Sequence, residues 1–450
     1  MQGIKNLTQG PINRQLFNLA MPIMATSFIQ MAYSLTDMAW VGRLGSEAVA
    51  AIGSVGILTW MSGSISLLNK VGSEVSVGQS IGAQSQEDAR SFASHNITIA
   101  LIISICWGTL LFIFAEPIIR IYELEDHITA NAIQYLRIIS TGLPFIFLSA
   151  AFTGIYNAAG RSKVPFFISG TGLILNIILD PIFIFGYCGE TLSGTTGAAV
   201  ATVIGQFCGA GMTLYFNTRK NPDIQISFKG FRPSAKAIGR IYTVGLPSIA
   251  MQCVGSLMTF GMNLILMAFS ATAVAVFGVY FKLQSFVFMP IFGLNNGMVP
   301  IISYNYGARR PDRVKKTIKL AVCYAEGIML AGFCIFQFAP RQVLSIFAAS
   351  DAMLAIGIPA MRIICLHFLL AGVSIVLSSV FQALGNGVFS LIVSVCRQLF
   401  VLLPAAWLLA QTGNVNNVWW AFLIAEVVSI LMSLAFYARI NKTTIAPLYR

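Results

Sequence analysis

The sequence has few charged residues, few histidines and no clustered cysteines. Asp, Glu, Lys and Arg make up only 10% of its 450 residues, whereas a soluble domain has roughly a quarter. Three residues are His, and the eight Cys are scattered without a CxxC spacing, which argues against a disulfide framework or a structural metal site. No HExxH, GxSxG, Walker or dinucleotide-binding motif occurs. We therefore expect a protein that is not an enzyme and has no cofactor or nucleotide energy source.

Apolar residues, by contrast, make up 56% of the chain and fall in long continuous runs. A helix needs ~20 apolar residues to cross a bilayer, and the strands of membrane barrels do not form such runs. Twelve segments are long enough, at 16–40, 52–81, 94–115, 133–157, 164–187, 196–217, 242–269, 273–304, 318–338, 357–383, 388–410 and 418–438. The sequence therefore predicts an all-α polytopic membrane protein with twelve transmembrane helices surrounded by lipid.

Lys and Arg are distributed unevenly among the predicted connections. With both termini on the cytoplasmic side, twenty of these residues fall in cytoplasmic segments, and only Arg43, Arg120 and Arg341 fall in outer loops. Membrane proteins carry this excess in their cytoplasmic loops. We therefore expect both termini in the cytoplasm, and the net charge of +12 requires no nucleic-acid partner.

The two halves of the chain are repeats of each other. Similar short motifs recur at a constant interval of 225 positions, and six spans in each half make the repeat parallel. The paired motifs contain Pro22 and Pro247, Gly82 and Gly307, Arg137 and Arg362, and Gly160 and Gly385. We predict an N-lobe at 1–217, a cytoplasmic linker at 218–241 and a C-lobe at 242–450. A pseudo-twofold axis along the membrane normal would relate the lobes, with a transport cavity between them.

Acidic residues inside the spans are the strongest functional candidates, because a charge at the centre of a bilayer costs roughly 2.5–3.5 kcal/mol on insertion scales. Asp37 and Asp180 lie in different apolar runs, and Asn176 lies four residues before Asp180 on the same helical face. Pro181 loosens the backbone there. We expect the two helices to meet and the two acids to share a site for a small cation or a proton.

Three further acids in spans are secondary candidates: Glu74, Glu326 and Glu426. For Glu74 a local ion pair with Lys70, one turn away, is an equal alternative, and for the other two a structural role is slightly favoured. Asp37 and Asp180, in contrast, have Met262 and Ala405 at their repeat positions. An acid pair confined to one half favours ion coupling over a purely structural role.

Several motifs resemble those of the MATE multidrug exporters, in the same order and over essentially the whole chain. They are Leu-Ala-Met-Pro22, Ser-Leu-Thr-Asp37-Met-Ala-Trp-Val-Gly-Arg-Leu-Gly45, Gly-Gln-Ser-Ile-Gly82-Ala, Asn176-Ile-Ile-Leu-Asp180-Pro, Gly197-Ala-Ala-Val-Ala-Thr202 and Phe281-Lys-Leu-Gln-Ser-Phe-Val-Phe-Met-Pro290. The resemblance implies a secondary active transporter of the bacterial inner membrane. Such a protein would export amphipathic or cationic small molecules by alternating access, in exchange for Na⁺ or H⁺, without an obligate protein partner.

The resemblance also implies the composition of the ion site. It places the cation at Asp37, Asn176, Asp180 and Thr202, with the backbone carbonyl of Ala198 nearby. Their oxygen ligands suit Na⁺, and the same carboxylates could instead take a proton. The additional site of the NorM branch, which uses acids in helices 7 and 10, has no counterpart, because 242–269 and 357–383 contain no acid. The alternative function is a lipid-linked or polysaccharide flippase of the same superfamily, for which a basic cavity would be expected.

Overall fold

The computed structural model describes residues 6–187, 189, 193–220, 224, 226, 231–346 and 350–449. Cys188 and parts of the predicted linker 218–241 lie outside these residues. Twelve helices of the described chain are long and apolar enough to cross a membrane, and no strand occurs among them. They are α1 (Ile12–Gly42), α2 (Ser46–Gly82), α3 (Gln86–Ile113), α4 (Asp126–Ala158), α5 (Lys163–Ile184), α6 (Gly194–Lys220), α7 (Ala235–Met267), α8 (Ala271–Gly307), α9 (Pro311–Phe338), α10 (Asp351–Ala383), α11 (Gly387–Ala410) and α12 (Val415–Tyr449). The prediction of a twelve-helix membrane protein is confirmed.

Most of these helices extend beyond the apolar runs that predict them, and polar side chains cap the start of three of them. Ser85 accepts a hydrogen bond from the backbone N–H of Asp88 at the start of α3. Ser270 and Ser350 cap the first turns of α8 and α10 in the same way. Hydropathy detects the apolar part of such a helix, whereas the cap fixes where the helix begins.

The backbone repeats at the positions where the sequence motifs repeat. Gln84 and Arg309 both adopt a left-handed conformation, with φ of 60° and 51°, in the turns after α2 and α8. Gly160 and Gly385 do the same after α4 and α10, with φ of 72° and 81°. A left-handed conformation costs a residue with a Cβ roughly 1–2 kcal/mol. Its occurrence at equivalent non-glycine positions shows that both halves use the same helix–turn–helix geometry.

The chain divides into two compact units that differ slightly from the predicted lobes. The first unit contains Ala25–Gly245, and the second contains Leu7–Met24 together with Leu246–Arg450. Each unit therefore includes the start of the first helix of the other half, and the divisions fall close to Pro22 and Pro247. The lobes 1–217 and 242–450 remain a prediction of the sequence repeat.

Glycines allow the closest helix contacts in the first unit. A Cβ at Gly154 of α4 would lie only 2.2 Å from the carbonyl oxygen of Lys70 on α2, and one at Gly108 of α3 would lie 2.8 Å from that of Ser140 on α4. Small residues permit such backbone approach between helices in membranes. These glycines therefore let α2, α3 and α4 pack closely in the first unit.

In the second unit, the N-terminal segment is held by one arginine. Arg313, at the start of α9, donates to the backbone carbonyls of Leu7 and Gly10 and to the side chains of Gln15 and Asn305. A planar guanidinium has five N–H donors, so one residue can make all of these bonds. The start of α1 is therefore fixed to the junction of α8 and α9.

Candidate ion site

The ends of α1 and α5 meet in the first unit. The rings of Trp40, near the end of α1, and Phe185, directly after α5, pack edge to face with centroids 6.1 Å apart. Further along, Ile29 of α1 approaches Gly170 of α5. Asp37 precedes Trp40 by three residues and Asp180 precedes Phe185 by five. The two helices that carry Asp37 and Asp180 therefore contact each other, as we expected from the sequence.

Asp180 and Asn176 form the buried part of the site. Both side chains are 0% exposed, and the Asn176 amide donates a hydrogen bond of 2.8 Å to Asp180 Oδ1. The four-residue spacing that suggested a shared face permits this bond. Asp180 Oδ2 and Asn176 Oδ1 have no hydrogen-bond partner within the described part of the chain. Two buried oxygen acceptors are thus available to a cation or a proton.

Thr202 and Ala198 add α6 to the site. The Thr202 hydroxyl, whose residue is 7% exposed, donates to the Ala198 carbonyl at 2.9 Å. Because its hydrogen points at that carbonyl, the lone pairs of the hydroxyl oxygen remain available to other groups. The Tyr33 side chain of α1 lies close to Thr202. This contact ties α1 to α6 directly beside the acids.

Asp37 completes the cluster from α1. It acts electrostatically on Asp180, and its buried Oδ1 has no hydrogen-bond partner among the described residues. Tyr33 and Tyr135 lie within electrostatic range of both acids. Sequence reasoning missed both tyrosines. Tyr33 could have been found, because it lies one helical turn before Asp37, whereas Tyr135 of α4 has no local signal.

The structure brings the predicted side chains together around an electrostatically costly pair of carboxylates. Side chains of the adjoining core, including Val41, Ile184 and Leu136, are almost completely buried and apolar. Two nearby carboxylates in such surroundings are stable only when a cation or a proton offsets their charge. Carboxylate, amide and hydroxyl oxygens are hard ligands of the kind Na⁺ accepts. Within the described residues, no group of three or more His, Cys, Asp or Glu side chains could hold a metal ion.

The three secondary acids contact other sets of residues. Glu74 of α2 is buried beside Lys70 and Asn157. Glu326 of α9 lies against the backbone of α10 near Gly372. Glu426 of α12 is 2% exposed and pairs with Arg397 of α11 at 3.2 Å. Their roles remain predictions.

Comparison with known proteins decides the family. The sequence profile of the MatE family matches residues 22–182 and again residues 247–408. The chain is a member of the MatE family. The two matches begin at Pro22 and Pro247, the first of the motif pairs that define the internal repeat. MatE proteins are transporters, so the prediction that the chain is not an enzyme is confirmed, as is the resemblance to MATE proteins.

Individual MatE relatives match over nearly the full length. The chain is 23% identical over 439 residues to the multidrug export protein MepA of Staphylococcus haemolyticus, covering 97% of this chain and 96% of the relative. It is 25% identical to the probable multidrug resistance protein NorM of Thermotoga maritima, covering 93% and 90%. A crystal structure of MATE in the bent conformation superposes with a TM-score of 0.90 at 26% identity, covering 98% of this chain and 100% of that one.

Proposed function

We propose that this MatE protein exports small amphipathic or cationic compounds across the bacterial inner membrane in exchange for Na⁺ or H⁺. The observation that carries the proposal is the cluster of Asp37, Asn176, Asp180 and Thr202, with the Ala198 carbonyl beside it. Relatives named as multidrug export and resistance proteins support the substrate class. The absence of nucleotide-binding motifs from the sequence supports an ion gradient as the energy source.

Ion binding would act through the shape of α1. An ion between Asp37 and Asp180 offsets their mutual repulsion and draws α1 against α5, while the contact between Tyr33 and Thr202 holds α1 beside α6. Pro22 interrupts the hydrogen-bond ladder of α1 and provides a point at which the helix can bend. In the outward-facing state the bound ion would reshape α1 and release the drug. In the inward-facing state the ion would leave and a new drug molecule would bind.

The positions of the termini and the lobes belong to the same proposal. The excess of Lys and Arg in alternate connections favours cytoplasmic termini and a cytoplasmic linker at 218–241. The repeat favours two six-helix lobes related along the membrane normal, with lipid around them. Such a transporter needs neither an obligate protein partner nor nucleic acid.

The proposal is tested by transport of a fluorescent cationic dye in proteoliposomes with Na⁺ and H⁺ gradients imposed separately. D37N and D180N are each expected to abolish gradient-driven dye transport while the protein still inserts. D351N is the matched control, because Asp351 is exposed in the first turn of α10. Full transport by both site variants would contradict the coupling role. If the wild type responds to neither gradient, the flippase alternative takes precedence.

A further inference from the structure

A second set of buried ionisable groups lies in the second unit, at the middle of three adjacent spans. His367 of α10 is 5% exposed and Glu426 of α12 is 2% exposed. Arg397 of α11 donates to Glu426 Oε2 at 3.2 Å. Ionisable groups at mid-depth in a membrane are costly and usually functional. The ion site of the first unit uses none of them.

The helices that carry His367 and Arg397 depart from α-helical geometry at these residues. Cys365–His367 forms a 3₁₀ turn within α10, and Cys396–Leu402 forms a π-helical segment within α11. Segments of this kind interrupt regular hydrogen bonding and occur frequently at functional sites. Two such interruptions therefore adjoin one buried charged cluster.

The hydrogen bonds of the cluster fix where a proton can bind. His367 Nδ1 lies 2.6 Å from the carbonyl oxygen of Ile364, and only a protonated nitrogen can donate to a carbonyl. In the neutral ring Nε2 therefore carries the lone pair. Glu426 Oε1 has no hydrogen-bond partner among the described residues, and both Glu426 and Arg397 act electrostatically on the imidazole. The cluster thus contains two proton acceptors, Nε2 of the neutral His367 ring and the Glu426 carboxylate.

The rings that pack against His367 are those of phenylalanines. The rings of Phe288, Phe368 and Phe422 lie 5.0–6.1 Å from the imidazole, measured between centroids. Tyr280 of α8 contacts Phe422, and Cys365 lies in the same 3₁₀ turn. Glu326, from α9, lies against the following part of α10. Glu426 and Arg397 are therefore the charged groups that act on the ring.

The sequence repeat shows that this cluster is specific to one half. At the interval of 225 positions that relates the motif pairs, His367, Arg397 and Glu426 correspond to Gly142, Gly172 and Ala201. The relation is the reverse of that for Asp37 and Asp180, whose counterparts are Met262 and Ala405. Each half thus carries one buried ionisable set where the other half has small or apolar residues.

We infer that His367 and Glu426, held in place by Arg397, form a second proton-binding site whose occupancy is coupled to drug transport. The inference rests on the proposed export function and adds a protonation step in the second unit. The proton binds His367 Nε2, and the carboxylate of Glu426 balances the charge that it brings. This site has no need of acids in the segments 242–269 and 357–383, which contain none.

Protonation can be observed directly, because the chain contains only three histidines. Protein labelled with ¹³C and ¹⁵N in histidine is titrated by NMR in lipid nanodiscs from about pH 5 to about pH 9, and H367Q assigns the His367 signal. We expect this signal to titrate and its midpoint to move in E426Q. A signal that stays that of neutral imidazole throughout would overturn the inference. R397Q/E426Q replaces E426Q if the half-buried, unpaired arginine prevents folding.

Coupling to transport is tested in proteoliposomes with dye efflux driven by a pH gradient. H367Q is expected to change the pH profile of the rate, with a loss of about fivefold or more near neutral pH. H95Q is the matched control, because His95 is also buried and also bonds a carbonyl of its own helix, in α3. Identical profiles for H367Q and H95Q would overturn the inference. Normal transport by D37N and D180N would instead overturn the proposed function, which separates the two failures.

Discussion

Replacing Thr202 by valine removes one oxygen from the proposed ion site without changing the shape of the side chain. The Thr202 hydroxyl donates to the Ala198 carbonyl of α6 and lies close to the Tyr33 side chain of α1. Valine offers no oxygen to an ion or to the nearby Tyr33 hydroxyl. T202V should therefore weaken both the ion ligation and the attachment of α1 to α6.

The magnitude follows from the bonds that are lost. A neutral hydrogen bond contributes about 0.5–1.5 kcal/mol, and leaving a buried partner unsatisfied costs about 1–3 kcal/mol. The Ala198 carbonyl loses little, because it keeps its place in the helix. A net loss of about 1.4 kcal/mol in ion binding corresponds to about a tenfold weaker affinity. T202S, which keeps the oxygen, should remain close to the wild type.

The assay is the dependence of dye transport on Na⁺ or H⁺ concentration in proteoliposomes. T202V should raise the half-saturating concentration of the coupling ion about tenfold. The control is T213V, because Thr213 is buried in the same helix and makes the same type of bond, to the Gly209 carbonyl at 2.8 Å. It lies three turns along α6, away from the acids. Equal effects of T202V and T213V would refute the reasoning.

Three further predictions concern stability. N176A removes the donor to Asp180 Oδ1 and should cost about 1–3 kcal/mol, seen as a lower melting temperature in detergent. G154V should sharply reduce the yield of folded protein in size-exclusion chromatography, because its Cβ would lie 2.2 Å from the carbonyl oxygen of Lys70. R313A should accelerate tryptic cleavage of the N-terminal segment, which loses the hydrogen bonds of that guanidinium.

Each of these variants has a matched control. N176Q keeps an amide donor and should recover part of the stability that N176A loses. G172A should fold normally, because no atom lies within 4 Å of a Cβ at Gly172. R341A removes an exposed arginine and should leave the cleavage rate unchanged. A control that behaves like its test variant would contradict the corresponding prediction.

The twelve spans and the proximity of the two acids could be predicted from the sequence for different reasons. Hydropathy alone identifies all twelve spans, because a bilayer requires uninterrupted apolar length. Predicting that Asp37 and Asp180 lie close together required a chemical argument. An acid in an apolar run is costly unless a cation or a proton offsets its charge, and two acids can share that ion. The four-residue spacing of Asn176 and Asp180 then predicted a contact that the structure contains at 2.8 Å.

Other features cannot be predicted from a single sequence. The 3₁₀ turn at Cys365–His367 and the π-helical segment at Cys396–Leu402 change the helical period by less than one residue, which an apolar run does not record. Tyr135 joins the site from α4 only through tertiary packing. The transfer of Leu7–Met24 to the second unit likewise depends on contacts far away in sequence, such as those of Arg313.

The most direct test of the account is to measure ion movement driven by the drug. Proteoliposomes are given an outward gradient of a fluorescent cationic dye with no ion gradient, and the counterflow of ²²Na⁺ or H⁺ is recorded in the same vesicles. We predict that dye exit drives Na⁺ or H⁺ inwards in the wild type and that this counterflow disappears in D37N and in D180N. Dye exit without any counterflow, or counterflow that persists in both variants, would contradict the assignment of Asp37 and Asp180 as the coupling site.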